Sequence, residues 1–388
     1  MMIGSGSIFL SNILFKDILS SESYGIYSIF VTYISIINSF GLLGFEQVFL
    51  RITDNSQKDL LISDKSLMTI MITSWLLFGV TCTIIFNHYF LKDILSFWIL
   101  CSCTLGIGLS MFLFNAFRVN SNFVIAQLYS NYWKVMLLLI SMVFLLFGFS
   151  SINLTLNSLS LIFTFASILG LINLIRNIKF QFQKRENIKR ILLFALQFFI
   201  SLLTLSIIGQ GDKFFVEKAF GLKKLGEYFF LANIFIFPFS MLQSYVGFKE
   251  LVRFKKSFSK RFFFGKIRNV NILGVFLGFA LLLISWICEQ LGLLTIEFNH
   301  NLLLIIVFLL IGISKLNYAL MSSVFGAIGE IKQIFKANFQ FILASLIFLF
   351  FFYRNMDTLF LVAVGMLILW VLRIVVWNFN ILSQADED

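Results

Sequence analysis

Long apolar runs recur along the whole chain, separated by short charged breaks. A helix needs about 20 apolar residues to cross the roughly 30 Å hydrocarbon core of a bilayer, and these runs have that length. Of the 388 residues, 59% are hydrophobic and 13% are charged, whereas soluble domains carry about 25% charged residues. Together these features predict an integral membrane protein. Twelve runs can be counted, near 1–15, 25–50, 67–91, 94–117, 122–149, 157–175, 191–210, 226–248, 269–288, 301–322, 335–353 and 357–379.

The runs lack the alternation of polar and apolar residues that is typical of membrane β-barrels, so the predicted fold class is an all-α polytopic membrane protein. The first run is short for a full crossing, because Lys16 and Asp17 follow it directly. We expect either a partly inserted first helix or further residues upstream of it. A cleaved signal peptide is not expected, because 1–13 has neither a basic start nor a clear cleavage site.

The placement of positive charge predicts the orientation of the helices. If both termini are cytoplasmic, 21 of the 30 Lys and Arg residues fall on the cytoplasmic side and seven on the other side. Most of the 21 lie in the basic breaks 176–190 and 249–268, which we expect to rest on anionic lipid headgroups. This asymmetry is what the positive-inside rule predicts for an even number of helices.

The chain divides into two predicted halves of six helices each. The predicted domains are an N-terminal bundle at 1–176, a basic cytoplasmic linker at 177–190 and a C-terminal bundle at 191–388. A short motif repeats across them, since Gly25 and Tyr27 precede the second helix as Gly226 and Tyr228 precede the eighth. Parallel repeats of this kind place a substrate site between the halves, near the middle of the membrane.

Two basic residues, Lys134 and Lys315, fall well inside predicted helices. A lysine at this depth costs about 2.5–3.5 kcal/mol on insertion scales and commonly faces a cavity or a partner. One interpretation is that both lysines face a shared central cavity and hold an anionic headgroup. The alternative is that their side chains extend along the helix to the cytoplasmic headgroups.

Two acidic residues near the ends of polar-striped helices, Glu46 and Asp212, are candidates for ion coupling. The alternative interpretation of each is a solvated helix end. Small polar residues such as Ser28, Ser35 and Thr204 form stripes on the same helices, and these either line a cavity or allow close helix packing.

The stretch LSSESYGIYS, from Leu19 to Ser28, and the residues from Gln210 to Lys213, followed by AFGLKKLGEYFFLAN, carry a family resemblance. In these motifs, and in helix count and half-chain division, the chain resembles bacterial polysaccharide-repeat flippases of the O-antigen type. They belong to the multidrug/oligosaccharidyl-lipid/polysaccharide exporter superfamily. The resemblance implies two six-helix bundles around a central cavity. It also implies alternating access in the bacterial inner membrane, moving an undecaprenyl-diphosphate-linked oligosaccharide of O-antigen, lipopolysaccharide or capsule type from the cytoplasmic to the periplasmic leaflet.

Residues can be matched to the chemistry of such a substrate. A fixed ammonium group in a low-dielectric cavity attracts a diphosphate, and sugar hydroxyls need amide partners such as Gln127 and Asn131. Arg118 and Lys213 complete the predicted substrate-binding set with Lys134 and Lys315. Other polysaccharide-assembly proteins are expected partners, whereas nucleic acid is not.

Enzymes and other exporters are the alternatives. A membrane polymerase or acyltransferase acting on the same lipid-linked repeats would need a sizeable external loop, and the external breaks here are short. A drug or cation exporter of the same superfamily stays open. No phosphate-binding GxxxxGK[ST] motif occurs, and the four cysteines and two histidines lack metal-site spacing. We therefore expect a non-enzymatic transporter that needs no metal and no other cofactor.

Overall fold

The computed structural model describes residues 2–52, 60–90, 94–119, 122–184, 187–329 and 331–384. The fold class is confirmed, since the chain is an all-α polytopic membrane protein in which the predicted apolar runs coincide with helices. Two of the runs, 25–50 and 226–248, are each divided over two helices. The helices are α1 (Met2–Ile18), α2 (Ser21–Phe40), α3 (Phe45–Ile52), α4 (Lys65–Tyr89), α5 (Phe97–Val119), α6 (Phe123–Phe147), α7 (Ile152–Asn177), α8 (Ile188–Phe235), α9 (Phe237–Lys256), α10 (Lys260–Gln290), α11 (Phe298–Ile328), α12 (Ile331–Phe352) and α13 (Leu359–Gln384).

Ten helical stretches among the described residues are long and apolar enough to cross a bilayer. The first predicted run is not among them, since α1 has 17 residues. The stretch 191–235 counts once although it holds a break at Gly221, which separates the seventh predicted run from the eighth. Large apolar side chains such as Leu146 on α6 and Phe276 on α10 are 80% and 71% exposed, as expected of surfaces that face lipid.

Contacts divide the chain into two compact units, Met1–Gln210 and Gly211–Asp388. This division falls within α8, whereas the predicted linker is the basic segment 177–190. A domain boundary at that segment stays a prediction.

In unit 1, α5 packs against α4, α6 and α7, and α1 packs against α6. A Cβ on Gly106 would lie 3.0 Å from the carbonyl oxygen of Phe163, so a glycine is what lets α5 approach α7. The Ser167 hydroxyl closes this contact by donating to the Gly106 carbonyl oxygen at 2.8 Å. Small residues at helix contacts are the usual means of close packing in membranes.

Two short strands were not predicted. Strand β1 (Leu60–Asp64) pairs in parallel with β2 (Ile178–Lys184), with Leu60 opposite Ile178. Strand β2 lies in the segment that the charge pattern identified as a basic linker. Parallel pairing joins residues over a hundred positions apart, so no local sequence pattern points to it.

Several hydroxyls in the polar stripes of α2 and α8 form hydrogen bonds within their own helices. The hydroxyls of Ser28, Ser35 and Thr204 donate to the carbonyl oxygens of Gly25, Val31 and Ile200. Such bonds leave the side chains compact and suited to close packing, which favours the packing interpretation over a cavity lining for these residues.

In unit 2, α11 packs against α9, α10 and α13. The only proline of the chain, Pro238, lies in the predicted run 226–248, where a proline is expected to bend or break a helix. In the structure α8 ends at Phe235, and α9 begins at Phe237, beside the proline. Proline has no backbone N–H to donate, so the first turn of a helix tolerates it. A Cβ on Gly312 would lie 2.5 Å from the ring of Phe239, so α9 and α11 meet closely there.

Candidate functional site

Three predicted substrate-binding residues form one chain of hydrogen bonds on α6. The amide of Asn131 donates to Gln127 Oε1 at 3.0 Å, and Lys134 Nζ donates to Asn131 Oδ1 at 3.1 Å. Their spacing of four and three residues places them on one face of the helix. A Cβ on Gly4 would collide with Asn131 Oδ1, so α1 packs directly on these hydrogen-bonded residues. The structure therefore joins Gln127, Asn131 and Lys134 into a single polar group in unit 1.

Arg118 is not part of that group in the described residues. It lies in the last turn of α5 and is exposed. Its predicted role in substrate binding stays a prediction.

Lys315 lies in unit 2, on α11, where α9 and α13 supply its neighbours. Its ammonium donates to Ser240 Oγ at 3.3 Å and lies 5.5 Å from the centre of the Trp370 ring. The close approach of α9 to α11 at Gly312, one turn earlier, brings Ser240 within reach. Asp212 and Lys213 are within electrostatic range of the same ammonium.

Asp212 and Lys213 form a buried ion pair on α8. Lys213 Nζ lies 3.3 Å from Asp212 Oδ1, and the side chains are 10% and 7% exposed, respectively. The hydroxyl of Tyr228 donates to Asp212 Oδ2 at 2.9 Å. Because Asp212 is buried inside a long helix, the alternative of a solvated helix end is wrong for it. Lys315, Asp212 and Lys213 thus form one charged cluster in unit 2.

Glu46 is also buried, with 1% of its surface exposed, at the start of α3. The helix is interrupted between α2 and α3, where Leu43 and Gly44 have φ angles of 53° and 80°. Neither carboxylate oxygen of Glu46 has a well-formed hydrogen bond within the described residues. The nearby backbone amides of Gly44 and Glu46 interact with it electrostatically. A solvated helix end is therefore wrong for Glu46 as well.

The surroundings of Glu46 are apolar. The residues before and after it, Phe45 and Val48 among them, belong to a buried hydrophobic cluster to which α8 contributes Ile191 and Ala195. A carboxylate placed there with only weak contacts to backbone amides is costly when ionised. Protonation or a bound cation would remove that cost, and a role of Glu46 in ion coupling stays a prediction.

Sequence reasoning missed the contacts that three side chains make in these sites. Tyr228 was recognised only as part of the repeated motif, and its pairing with Asp212 depends on the fold of α8. Ser240 and Trp370 come to Lys315 from other helices, so no local pattern identifies them. The one available signal was the recurrence of Tyr27 and Tyr228 at half-chain spacing.

Three solved structures share this fold over nearly the whole chain. The outward-facing conformation of a multidrug resistance MATE family transporter of the MOP superfamily is 15% identical, with a TM-score of 0.63, over 100% of this chain and 95% of the other. The inward-facing conformation of such a transporter is 14% identical, with a TM-score of 0.62, over 99% and 96%. MATE in complex with MaL6 is 15% identical, with a TM-score of 0.62, over 100% and 95%.

At these identities the similarity shows the fold. No protein-family model matches the chain, and no curated protein matches its sequence. The chain therefore has the fold of these MATE transporters.

Proposed function

We propose that this chain is a transporter that moves an undecaprenyl-diphosphate-linked oligosaccharide repeat unit across the bacterial inner membrane by alternating access. The direction is from the cytoplasmic to the periplasmic leaflet. The shared fold supports the transporter class, since the MATE structures are named as transporters in outward-facing and inward-facing conformations.

Both termini are cytoplasmic in this proposal. Thiol labelling of cysteines placed in 150–157 and 249–268 should report opposite sides of the membrane, and labelling from the same side would refute this orientation.

The proposal of an anionic substrate depends on the contacts of the two lysines that lie within membrane-spanning helices. Lys134 and Lys315 donate to a neutral amide oxygen and a neutral hydroxyl. Neither forms a salt bridge with a described residue. In the cluster of unit 2, the single carboxylate of Asp212 faces two ammonium groups, those of Lys213 and Lys315. An ammonium group whose hydrogen-bond partners are neutral attracts an anion strongly in a low-dielectric interior. A diphosphate headgroup is such an anion.

Each unit carries one of these lysines, and each lysine has polar neighbours that suit a glycan. Gln127 and Asn131 present amides beside Lys134, and Ser240 presents a hydroxyl beside Lys315. Arg118 and Lys213 complete the proposed set of substrate contacts. That Lys134 and Lys315 share one cavity stays a prediction.

Genetic complementation tests the proposal. In a strain that lacks this gene, K134A and K315A should fail to restore the surface polysaccharide while still reaching the membrane, and K134R and K315R should restore part of it. K224A is the matched control, because Lys224 is exposed in its pair with Glu227. Normal restoration by both alanine variants would refute the role of the lysines.

We assign ion coupling to Glu46 and Asp212. Both are buried carboxylates, one in each unit, and a change of protonation or of ion contact would alter its surroundings strongly. E46Q should slow transport more than it lowers protein abundance, because the amide keeps the size of the side chain but cannot ionise. A normal transport rate in both E46Q and D212N would limit these residues to a structural role.

A drug exporter is the second candidate function, and the named multidrug resistance transporters of the same fold favour it. The charges of the lysine sites argue against a cationic drug, since like charges repel. Expression of the chain in a drug-sensitive strain separates the two candidates. Raised resistance to cationic drugs without any effect on polysaccharide would favour the drug exporter.

A further inference from the structure

The guanidinium group of Arg373 is completely enclosed within unit 2, between α11, α12 and α13. It is 0% exposed. Its Nη2 donates to Tyr318 Oη at 2.9 Å and to Asn338 Oδ1 at 3.4 Å. The ring centres of Tyr318, Phe341 and Trp377 lie 4.7, 5.3 and 5.2 Å from its Cζ. In the sequence, Arg373 is one of the 21 Lys and Arg residues counted on the cytoplasmic side, at the end of the last predicted helix.

The positive charge of Arg373 has no carboxylate to balance it among the described residues. Its hydrogen-bond acceptors are a phenol and an amide, both neutral, and no described acidic side chain forms a salt bridge with it. An arginine side chain keeps its proton in proteins. Attraction to the three aromatic faces offsets part of the cost of burying this charge, but an unpaired buried ion is strongly destabilising.

Several buried hydrogen-bond donors around Arg373 have no acceptor within the described residues. Arg373 Nε and Nη1 are buried and have no hydrogen-bond partner within the described residues. The indole Nε1 of Trp377, whose ring lies against the guanidinium, is buried and unpaired in the same way. Buried donors in folded proteins are nearly always satisfied. These donors require an acceptor, and the charge beside them favours a negative one.

We propose that Arg373 binds a small inorganic anion of the size of chloride, held by a guanidinium N–H group that has no partner within the described residues. Complete enclosure of the group favours a single-atom ion over a phosphate or a glycolipid headgroup. The anion balances the buried charge and thereby holds α13 against α11 and α12. This site is separate from the lysine sites and does not depend on the proposed transport function.

Thermal unfolding of the purified full-length chain in detergent tests the proposal. Unfolding midpoints are compared in sodium chloride and sodium gluconate at constant ionic strength. An ion that binds only the folded state raises the midpoint in a concentration-dependent and saturable manner. We expect chloride to raise the wild-type midpoint by a few degrees. The matched control R354Q should behave like the wild type, because Arg354 is an exposed arginine of the same unit.

The variant R373Q should lose this dependence on chloride. If R373Q is equally destabilised in both salts while the wild type shows no difference between them, Arg373 is only a hydrogen-bond anchor for Tyr318 and Asn338, and the proposal is wrong. If R373Q keeps the full chloride effect, the anion binds elsewhere, and the proposal is wrong as well. Should R373Q fail to fold, R373K and W377F serve instead. Each should require a several-fold higher chloride concentration for half of the effect, and an unchanged requirement would overturn the proposal.

Discussion

The two units use the same device, a buried tyrosine that bonds to the preceding helical segment, but with a different partner. In unit 1, Tyr27 Oη donates to Asn12 Oδ1 at 2.7 Å across 15 residues. In unit 2, Tyr228 Oη donates to Asp212 Oδ2 at 2.9 Å across 16 residues. Both tyrosines are 0% exposed. Their repeated spacing in the sequence therefore corresponds to a repeated contact in the structure.

The difference lies in the charge of the partner. Asn12 is neutral, so the contact in unit 1 can only hold two helices together. Asp212 is a carboxylate that also pairs with Lys213 and lies within electrostatic range of Lys315. In unit 2 the tyrosine hydrogen bond is thus part of a charged cluster. We infer that the contact in unit 1 is structural, while the one in unit 2 also takes part in transport.

Neutralising Asp212 should give the largest effect on stability. D212N makes the tyrosine contact of unit 2 resemble that of unit 1 but removes the carboxylate that lies beside the buried charge of Lys213. Removing one member of a buried ion pair costs about 3–5 kcal/mol, and we expect the free energy of unfolding to fall by that amount. Reversible unfolding in mixed detergent micelles measures it.

The control for D212N is E227Q, in the exposed pair of Lys224 and Glu227. Exposed pairs contribute about 0–1 kcal/mol, so E227Q should be nearly neutral. Equal losses in D212N and E227Q would mean that the ion pair of unit 2 is not buried as the structure has it.

The two glycines at which the helices are interrupted, one in each unit, offer a second comparison, with an effect on stability of intermediate size. Gly44 in unit 1 and Gly221 in unit 2 have φ angles of 80° and 82°, and a side chain in such a conformation costs about 1–3 kcal/mol. A Cβ on Gly44 would also lie 2.5 Å from the carbonyl oxygen of Ala195, whereas nothing lies within 4 Å of one on Gly221. G44A should therefore destabilise the protein clearly more than G221A in the same unfolding measurement. The reverse order would contradict the packing of α8 on the break before α3.

Replacing the tyrosines should give the smallest effects. Y228F removes a hydrogen bond to a charged group, worth about 1.5–3 kcal/mol, and Y27F removes one between neutral groups, worth about 0.5–1.5 kcal/mol. The free energy of unfolding should thus fall further in Y228F than in Y27F. Transport should decline in Y228F and stay normal in Y27F, and the opposite result would remove the functional distinction between the units.

The helices of this fold could be predicted from the sequence because the bilayer imposes a length and an apolar composition on every crossing. The breaks within them could not be located. The run 25–50 reads as one helix, yet the chain turns at Leu43 and Gly44, and α8 continues through a segment rich in charge up to Gly221. Backbone conformation at such points depends on close approach between helices, which hydropathy does not contain.

The candidate sites, too, could be predicted from the sequence only in part. The sequence predicted Gln127, Asn131 and Lys134 together because they share one helix face, where spacing determines proximity. It could not predict that Ser240 and Trp370 meet Lys315, because these residues come from three different helices. The enclosed position of Arg373 could not be predicted for a different reason. Charge counting assigns an arginine to a side of the membrane, and it cannot show that aromatic rings enclose the group.

Translocation by the purified protein tests the central claim most directly. The chain is reconstituted into vesicles with a fluorescent diphosphate-linked oligosaccharide lipid, and a membrane-impermeant quencher reports the lipid in the outer leaflet. The account predicts that wild type and K224A move the lipid between leaflets, while K134A and K315A are slower by about tenfold or more, equivalent to at least 1.4 kcal/mol. Wild-type vesicles no faster than protein-free vesicles, or alanine variants as fast as wild type, would contradict it.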